Sequence, residues 1–177
     1  MLFHKLVPDF YFDDIYCITP AFLAEHGVRA LIMDIDNTLV TYDDADPTER
    51  VLVWFDTMVA EGIALSFVSN NHKERVERFN SKLGYFATYD SSKPSRKALR
   101  RAIAAMGSSI ENTVMIGDQV FTDVYAGKRL GLRTILVKPI KDKTTLFVRA
   151  KRFLERPILW IYRKRKAAKA AKKEKDT

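Results

Sequence analysis

Short apolar segments alternate with helical segments along most of this chain, and this alternation constrains the fold more than any other feature. Five apolar segments have the length of strands: "ALIMDI", "IALSFV", "YFATYD", "TVMIGD" and "LRTILV". Segments with helical spacing or terminal glycines lie between them. Strands that are apolar throughout are typical of a parallel sheet covered by helices on both faces. We therefore predict an α/β fold, a Rossmann-like three-layer sandwich around a central parallel sheet.

Capping residues predict where several helices begin. Thr19 followed by Pro20 predicts a short helix near the N-terminus, and Asp46 followed by Pro47 predicts the start of the next one. A further helix is expected to open at Lys93. Each helix would join neighbouring strands, as the right-handed crossovers between parallel strands require.

Length and cysteine content limit the class of protein. The chain has 177 residues and 47% hydrophobic content, which suits one domain with a substantial core. Cys17 is the only cysteine, so an internal disulfide and a cysteine-rich zinc site are excluded. No signal peptide and no apolar stretch of about 20 residues is visible. We therefore expect a protein of the reducing cytoplasm.

The positive charge is concentrated at the C-terminus. Residues 138–177 contain 15 Lys or Arg and 4 Asp or Glu, whereas residues 1–137 carry a small net negative charge. We therefore divide the chain into residues 1–140, a domain that contains the predicted sheet and a short helical N-terminal segment, and residues 141–177, a basic amphipathic tail. Pro157 predicts that the tail forms two shorter helices rather than one.

Three interpretations of this tail remain open. In the first, the mixture of apolar and basic residues predicts an anchor that binds the anionic inner face of the membrane. Phe147, Phe153, Trp160 and their neighbours would form the apolar side. Alternatively, a helix packs on the core and is followed by a solvated lysine-rich end. Nucleic-acid binding through "RKRKAAKAAKK" ranks third, because that stretch lacks aromatic residues on which bases could stack.

Polar residues follow three of the predicted strands. In a parallel sheet these strand ends face the same edge, where ligands bind in α/β folds. One lysine and one further aspartate lie in the connecting segments nearby. The candidate site residues are Asp34, Asp36, Ser69, Asn70, Lys93, Asp118 and Asp123.

These side chains suit phosphoryl transfer. A divalent cation such as Mg²⁺ prefers carboxylates, water and phosphate oxygens, and it would allow Asp34 and Asp118 to stay ionised together. An ionised aspartate can attack phosphorus, and a second carboxyl such as Asp36 can protonate the leaving oxygen. Ser69 and Lys93 would hold the phosphate oxygens.

Each of these elements also has a structural interpretation when taken alone. The pair Asp34 and Asp36 could form a turn, Ser69 and Asn70 are ordinary helix-cap residues, and Lys93 could be a solvated lysine. Their joint occurrence, in order and at successive strand ends, favours the catalytic interpretation.

The motifs "DIDNTL", "SNN", "KP" and "GDQVFTD" resemble the four motifs of the haloacid dehalogenase (HAD) superfamily of phosphohydrolases. Within this superfamily the closer resemblance is to the bacterial YqeG-type phosphatases of subclass IIIA. Their relatives include the mitochondrial phosphatidylglycerophosphate phosphatase. The resemblance covers about residues 20–140. It implies a Mg²⁺-dependent phosphomonoester hydrolase with an aspartyl-phosphate intermediate.

The resemblance also implies a role for each matching residue. Asp34 would be the nucleophile and a metal ligand, and Asp36 the general acid and base with its backbone carbonyl on the metal. Asp118 would be the third metal anchor. The remaining matching positions would bind phosphate, namely Ser69, Asn70 and Lys93, or support the site, namely Thr38 and Asp123.

The short connections predict an open site. The segments after the first strand and between Ser69 and Lys93 each hold one helix and little more, so no large cap domain is expected. An open site suits a large or surface-presented substrate, and a phospholipid at a membrane is the first hypothesis. A soluble phosphometabolite or a phosphoprotein is the alternative. A nucleic-acid or ribosome-associated protein with a vestigial site is the least favoured, because all four motifs are intact.

Overall fold

A parallel six-stranded sheet forms the centre of the molecule. The computed structural model describes the backbone of residues 2–141 and 146–175, and the side chains of residues 4–141 and 154–168. The strands are β1 Phe10–Phe12, β2 Ala30–Met33, β3 Ala64–Val68, β4 Phe86–Thr88, β5 Thr113–Gly117 and β6 Arg133–Val137. Their order in the sheet is β1-β6-β5-β2-β3-β4. All pairs are parallel, which confirms the predicted α/β class.

Helices connect the strands and cover both faces of the sheet. They are α1 Pro20–Glu25, α2 Glu49–Ala60, α3 Lys73–Asn80, α4 Lys97–Ala105, α5 Tyr125–Leu130 and α6 Leu146–Lys175. One apolar cluster lies under α2 and α3 and includes Phe55, Phe67 and Phe79. A second cluster lies under α4 and α5 and includes Leu99 and Met115. The sheet is therefore the middle layer of three.

Two of the predicted helix starts are wrong. Thr48, and not Asp46, caps α2, because the Thr48 side chain accepts a hydrogen bond from the Val51 backbone N–H at 3.4 Å. The Asp46 carboxylate instead pairs with Arg78 on α3. Lys93 does not open α4, which begins four residues later. The start of α1 is confirmed, with Thr19 as its cap and the proline at its first position.

Strand β1 was missed by the sequence analysis. Phe10 pairs with Ile135 of β6, at the edge of the sheet. The Phe10 ring packs edge-on against Phe22 of α1 at 4.9 Å between centroids. The Tyr11 backbone N–H donates to the Tyr162 hydroxyl of α6 at 3.1 Å. A strand of three residues is too short to show a recognisable sequence pattern. The strand with which it pairs, β6, lies more than 100 residues further along the chain.

The tail forms one helix instead of the two predicted pieces, and α6 continues through Pro157. Glu155, before the proline, and Ile158 and Tyr162, after it, are buried against the domain, so packing holds the helix on both sides of the proline. The side chains of Phe147 and Phe153, which belonged to the predicted apolar side, lie outside the described residues. Over the part of the chain that the structure describes, no helix is long and apolar enough to cross a membrane.

Candidate active site

The predicted site residues meet at the carboxyl ends of three neighbouring strands. Because β2 lies between β3 and β5, the residues that follow these strands share one edge of the sheet. Asp34 follows β2, Ser69 follows β3 and Asp118 follows β5. A cavity of about 310 Å³ opens there. Its lining residues are Asp34, Asp36, Tyr42, Ser69, Asn70, Asn71, Lys93, Gln119 and Thr122.

Three buried aspartates form a cluster beside this cavity. One carboxylate oxygen each from Asp34, Asp118 and Asp123 lies within 4.8 Å of the other two. Buried carboxylates this close repel one another unless a cation compensates them. Carboxylate oxygens are also the ligands that hard divalent cations prefer. The cluster therefore fits a divalent metal ion, and Asp123, for which the sequence predicted a supporting role, is one of its three members.

Lys93 compensates part of this negative charge. Its ammonium lies 2.7 Å from an oxygen of Asp34 and 2.8 Å from an oxygen of Asp123. Burial of Lys93 opposes its charge, but the two aspartates outweigh burial and raise the pKa of Lys93 above its ordinary value. An ammonium has three donors, and these two contacts use two of them. Neither contact uses the third donor, which is able to hydrogen-bond an oxygen atom in the cavity.

Burial controls the ionisation of Asp34. Desolvation is the main cause that raises the pKa of Asp34 to about 7, and the neighbouring charges of Asp123 and Asp36 add to it. Lys93 acts in the opposite direction. A carboxyl that is this hard to ionise becomes a competent nucleophile when a cation stabilises its charged form.

The segment after β3 holds the backbone of Lys93 through hydrogen bonds from one side chain. The Asn70 side chain accepts a hydrogen bond from the Lys93 backbone N–H at 2.7 Å and donates one to the Lys93 carbonyl at 3.2 Å. The Asn70 amide is therefore occupied with holding the lysine. The Ser69 hydroxyl accepts from the Asn71 backbone N–H at 3.0 Å, which leaves the hydroxyl proton for a bound phosphate.

A close approach between β5 and the next turn holds Asp123 in place. A side chain at Gly117 would lie 2.4 Å from the Asp123 side chain, so only glycine fits there. Asp123 accepts a hydrogen bond from the Gln119 backbone N–H at 3.0 Å. The residue lies in a π-helical segment, Val120–Val124, which precedes α5. Such segments are frequent at functional sites.

Two residues that the sequence analysis missed hold Asp36. Arg75 of α3 contacts one Asp36 oxygen with Nε at 3.2 Å and Nη2 at 3.1 Å. The Asn71 side chain donates to the other oxygen at 2.9 Å. The only sequence signal was the position of Asn71 inside the "SNN" motif. Arg75 lies on α3, which has many charged residues, and the sequence does not distinguish it from those that face solvent.

Thr38 and Tyr42 both lie in the segment that follows Asp36. Thr38, for which the sequence predicted a supporting role, is buried, and within the described residues its hydroxyl has no hydrogen-bond partner. Tyr42 was not predicted and lines the cavity. Partial burial is the main cause that raises the pKa of Tyr42 to about 12, and the negative charge of Asp118 adds to it. The phenol is therefore neutral at neutral pH. A neutral hydroxyl beside the cavity can hydrogen-bond a substrate.

Similarity to known proteins points to one superfamily. The HAD-hydrolase-like family matches residues 91–146. The chain is 42% identical over 159 residues to the "Probable phosphatase YqeG" of Bacillus subtilis (strain 168). The match covers 90% of this chain and 92% of that protein.

Solved structures with a similar fold include two proteins from other bacteria. An uncharacterized protein from Listeria monocytogenes serotype 4b superposes with a TM-score of 0.53 at 16% identity, covering 67% of this chain and 85% of that one. A "putative 3-deoxy-D-manno-octulosonate 8-phosphate phosphatase" from Vibrio cholerae gives 0.51 at 15% identity, covering 68% and 73%. At such identities the likeness concerns the fold alone.

Proposed function

Since the chain belongs to the YqeG-type phosphatases of the HAD superfamily, we propose that it hydrolyses phosphatidylglycerophosphate at a membrane surface through an aspartyl-phosphate on Asp34. The observation that carries the mechanism is the contact of Asp34 with Lys93 inside the buried aspartate cluster. This contact supports the proposal, because the proposed nucleophile and the proposed phosphate-binding ammonium would then lie side by side in the lining of one small cavity.

The first half of the proposed reaction transfers the phosphoryl group to the protein. A carboxylate oxygen of Asp34 attacks phosphorus, and the bond between phosphorus and the substrate's ester oxygen breaks. Asp36 donates a proton to that leaving oxygen, so the alcohol departs neutral. Ser69 and Lys93 hold the phosphoryl oxygens while negative charge develops on them.

The second half releases phosphate. Asp36, now ionised, accepts a proton from a water molecule whose oxygen attacks phosphorus. The bond between phosphorus and the Asp34 oxygen breaks, and inorganic phosphate and the free carboxylate result. One residue thus serves as acid and then as base, which requires that its carboxyl keep the same position through both steps.

Mg²⁺ is the metal that we propose for the aspartate cluster. Asp34 and Asp118 would hold it, together with the backbone carbonyl of Asp36, and Asp123 lies close enough to contribute directly or through water. A purely oxygen donor set favours Mg²⁺ over softer metals. When bound, the ion neutralises phosphate charge and lets Asp34 ionise at neutral pH.

The lack of a covering domain supports a substrate that extends beyond the cavity. A volume of about 310 Å³ accommodates a phosphate group and the adjoining part of its alcohol. Among the described residues, no additional domain covers the cavity, and the connections at this edge are single loops and helices. A lipid phosphate at a membrane surface meets these conditions, since only its head group must enter.

The exposed side of α6 supports membrane association. Leu154 and Trp160 are each 56% exposed, although both are large and apolar. The Lys164 ammonium lies 4.1 Å from the centre of the Trp160 ring. An exposed tryptophan beside basic side chains is suited to the interface of an anionic leaflet. We therefore propose peripheral binding at the inner face of the membrane.

Substrate assays with the full-length protein test this function. Phosphate release would be compared between phosphatidylglycerophosphate in anionic vesicles, glycerol 3-phosphate, sugar phosphates, nucleotides and a phosphoprotein. We expect kcat/KM to be highest for the lipid, and Asp34→Asn to abolish release from every substrate. A clear preference for a soluble phosphate would reject the lipid proposal while leaving the phosphatase assignment intact.

A further inference from the structure

The acid–base residue Asp36 is held by a guanidinium that also binds the loop beside the cavity. The Arg75 side chain is only 15% exposed. Its Nη1 donates to the Ala45 carbonyl at 2.8 Å, and its Nη2 donates to the Thr41 carbonyl at 3.4 Å. The same group contacts Asp36 through Nε and Nη2. One side chain therefore joins α3, the end of β2 and the loop 41–45.

We propose that Arg75 is a positioning residue for this phosphatase, which fixes the carboxyl of Asp36 and the loop 41–45 for proton transfer. The inference rests on the proposed acid–base role of Asp36. A carboxylate has about four acceptor positions, and Arg75 and Asn71 together occupy up to three of them. One acceptor position of Asp36 is left to exchange a proton, and the contacts to both oxygens restrain the rotation of the carboxyl.

The geometry explains why an arginine is needed. A guanidinium presents several N–H donors in a fixed plane, so Arg75 can hold a carboxylate and two carbonyls at once. A lysine is a point charge on a flexible chain and could satisfy only part of this set. The Arg75 guanidinium also lies 5.9 Å from the centre of the Phe79 ring, which is fully buried and limits its movement.

Loop 41–45 brings Tyr42 to the cavity, so the same contacts have a second effect. Thr41 and Ala45, whose carbonyls Arg75 binds, stand on either side of that tyrosine. Loss of the guanidinium would release the acid–base residue and the loop together. We therefore expect proton transfer to the leaving group to suffer more than phosphate binding.

Leaving-group dependence tests the proposal, because an alkyl leaving group needs a proton and an aryl leaving group needs one far less. The full-length protein and its Arg75→Met and Arg75→Lys variants would be assayed by kcat/KM on 4-nitrophenyl phosphate and on glycerol 2-phosphate. For Arg75→Met we expect a loss of about 10- to 100-fold on the alkyl ester and less than about 5-fold on the aryl ester. Arg75→Lys should recover only part of the alkyl activity.

Arg78→Met is the matched control. Arg78 lies one turn further along α3, is exposed, and pairs with Asp46 at 3.1 Å. Its substitution removes the same kind of side chain from the same helix and should change neither activity by more than about 2-fold. Unfolding temperatures of all variants would be measured, so that a loss of fold is recognised.

Asp36→Asn separates this proposal from the function on which it rests. If Asp36→Asn loses alkyl hydrolysis selectively but Arg75→Met does not, the positioning role is wrong and the acid–base role stands. Equal losses on both esters in Asp36→Asn would overturn both. A parallel loss on both esters in Arg75→Met, with a lowered unfolding temperature, would show that the residue serves only the fold.

Discussion

The buried carboxylate of Glu155 in α6 accepts a hydrogen bond from the backbone N–H of Val120 at 3.1 Å. Val120 begins the π-helical segment that carries Asp123 of the aspartate cluster. Ile158 and Tyr162 pack in the same apolar cluster as Val120. The C-terminal helix therefore supports the loop that holds a candidate metal ligand, and it is more than an appended basic tail.

Removal of residues 146–177 should therefore destabilise the domain. It exposes apolar side chains now covered by Ile158 and Tyr162, and it leaves the Val120 N–H without its acceptor. We expect a loss of about 3–6 kcal/mol of unfolding free energy. Hydrolysis of an aryl phosphate should fall with the unfolding temperature, and hydrolysis of a lipid-linked phosphate should fall further because the exposed side of α6 is lost as well. Thermal unfolding and parallel assays would measure both.

The variants Glu155→Gln and Glu155→Leu refine this test. Gln retains an acceptor for the Val120 N–H, whereas Leu leaves that buried donor unsatisfied at a cost of about 1–3 kcal/mol. The leucine variant should therefore unfold at the lower temperature. A truncated protein with the parent's unfolding temperature and aryl phosphatase activity would contradict the supporting role of α6.

Trp160→Ser should weaken membrane binding without affecting the fold. Trp160 is 56% exposed and lies on the side of α6 that does not pack on the domain. Loss of its apolar surface should cost roughly 1 kcal/mol of binding free energy, which is about 5-fold in partitioning to anionic vesicles. Hydrolysis of a soluble aryl phosphate and the unfolding temperature should stay unchanged.

Val59→Ser is the control for Trp160→Ser, because Val59 is an exposed apolar residue on α2. This variant should bind vesicles as the parent does. Vesicle binding should also weaken at high salt in the parent, since salt screens the basic side chains. Unchanged binding in Trp160→Ser would remove the main support for the anchor.

Asp34→Asn should stabilise the metal-free protein above neutral pH. Burial raises the pKa of Asp34 from 3.8 to about 7, so the folded state binds its proton more tightly than the unfolded state. Stability therefore falls as pH rises from about 4 to 7, and the penalty persists above 7. Asparagine cannot ionise, so the variant should gain about 1–3 kcal/mol at pH 8 and little near pH 4.

Thermal unfolding in chelator at pH 4.5 and pH 8 measures this difference. Asp56→Asn, on the exposed side of α2, is the control and should match the parent at both pH values. The Asp34 variant should be inactive under all conditions, because an amide is a poor nucleophile towards phosphorus. A gain at pH 4.5 as large as that at pH 8 would contradict the raised pKa.

Mg²⁺ should stabilise the parent protein and be required for its activity. The cation offsets the repulsion among Asp34, Asp118 and Asp123, so the unfolding temperature should rise with Mg²⁺ concentration. Excess chelator should abolish phosphate release. Asp118→Asn should reduce both the thermal shift and the activity. Full activity in chelator would reject the metal's role, and an equal thermal shift in Asp118→Asn would reject this ligand set.

Local patterns determined much of this protein. Continuous apolar segments identified β2, β3 and β5, because a strand buried on both faces must be apolar along its length. Polar residues directly after those strands then marked the site, since parallel strands end at one edge. Asp34, Ser69 and Lys93 line a single cavity in the structure, as that argument requires.

Tertiary structure alone decided which distant side chains hold the site in place. Arg75 contacts Asp36 across 39 positions of sequence, and Glu155 reaches Val120 across 35. In the sequence both look like solvated charges on polar helices. Only the packing of α3 and α6 against the sheet removes them from water, and a buried charge must then find a partner. That partner depends on the fold as a whole, and no local pattern encodes it.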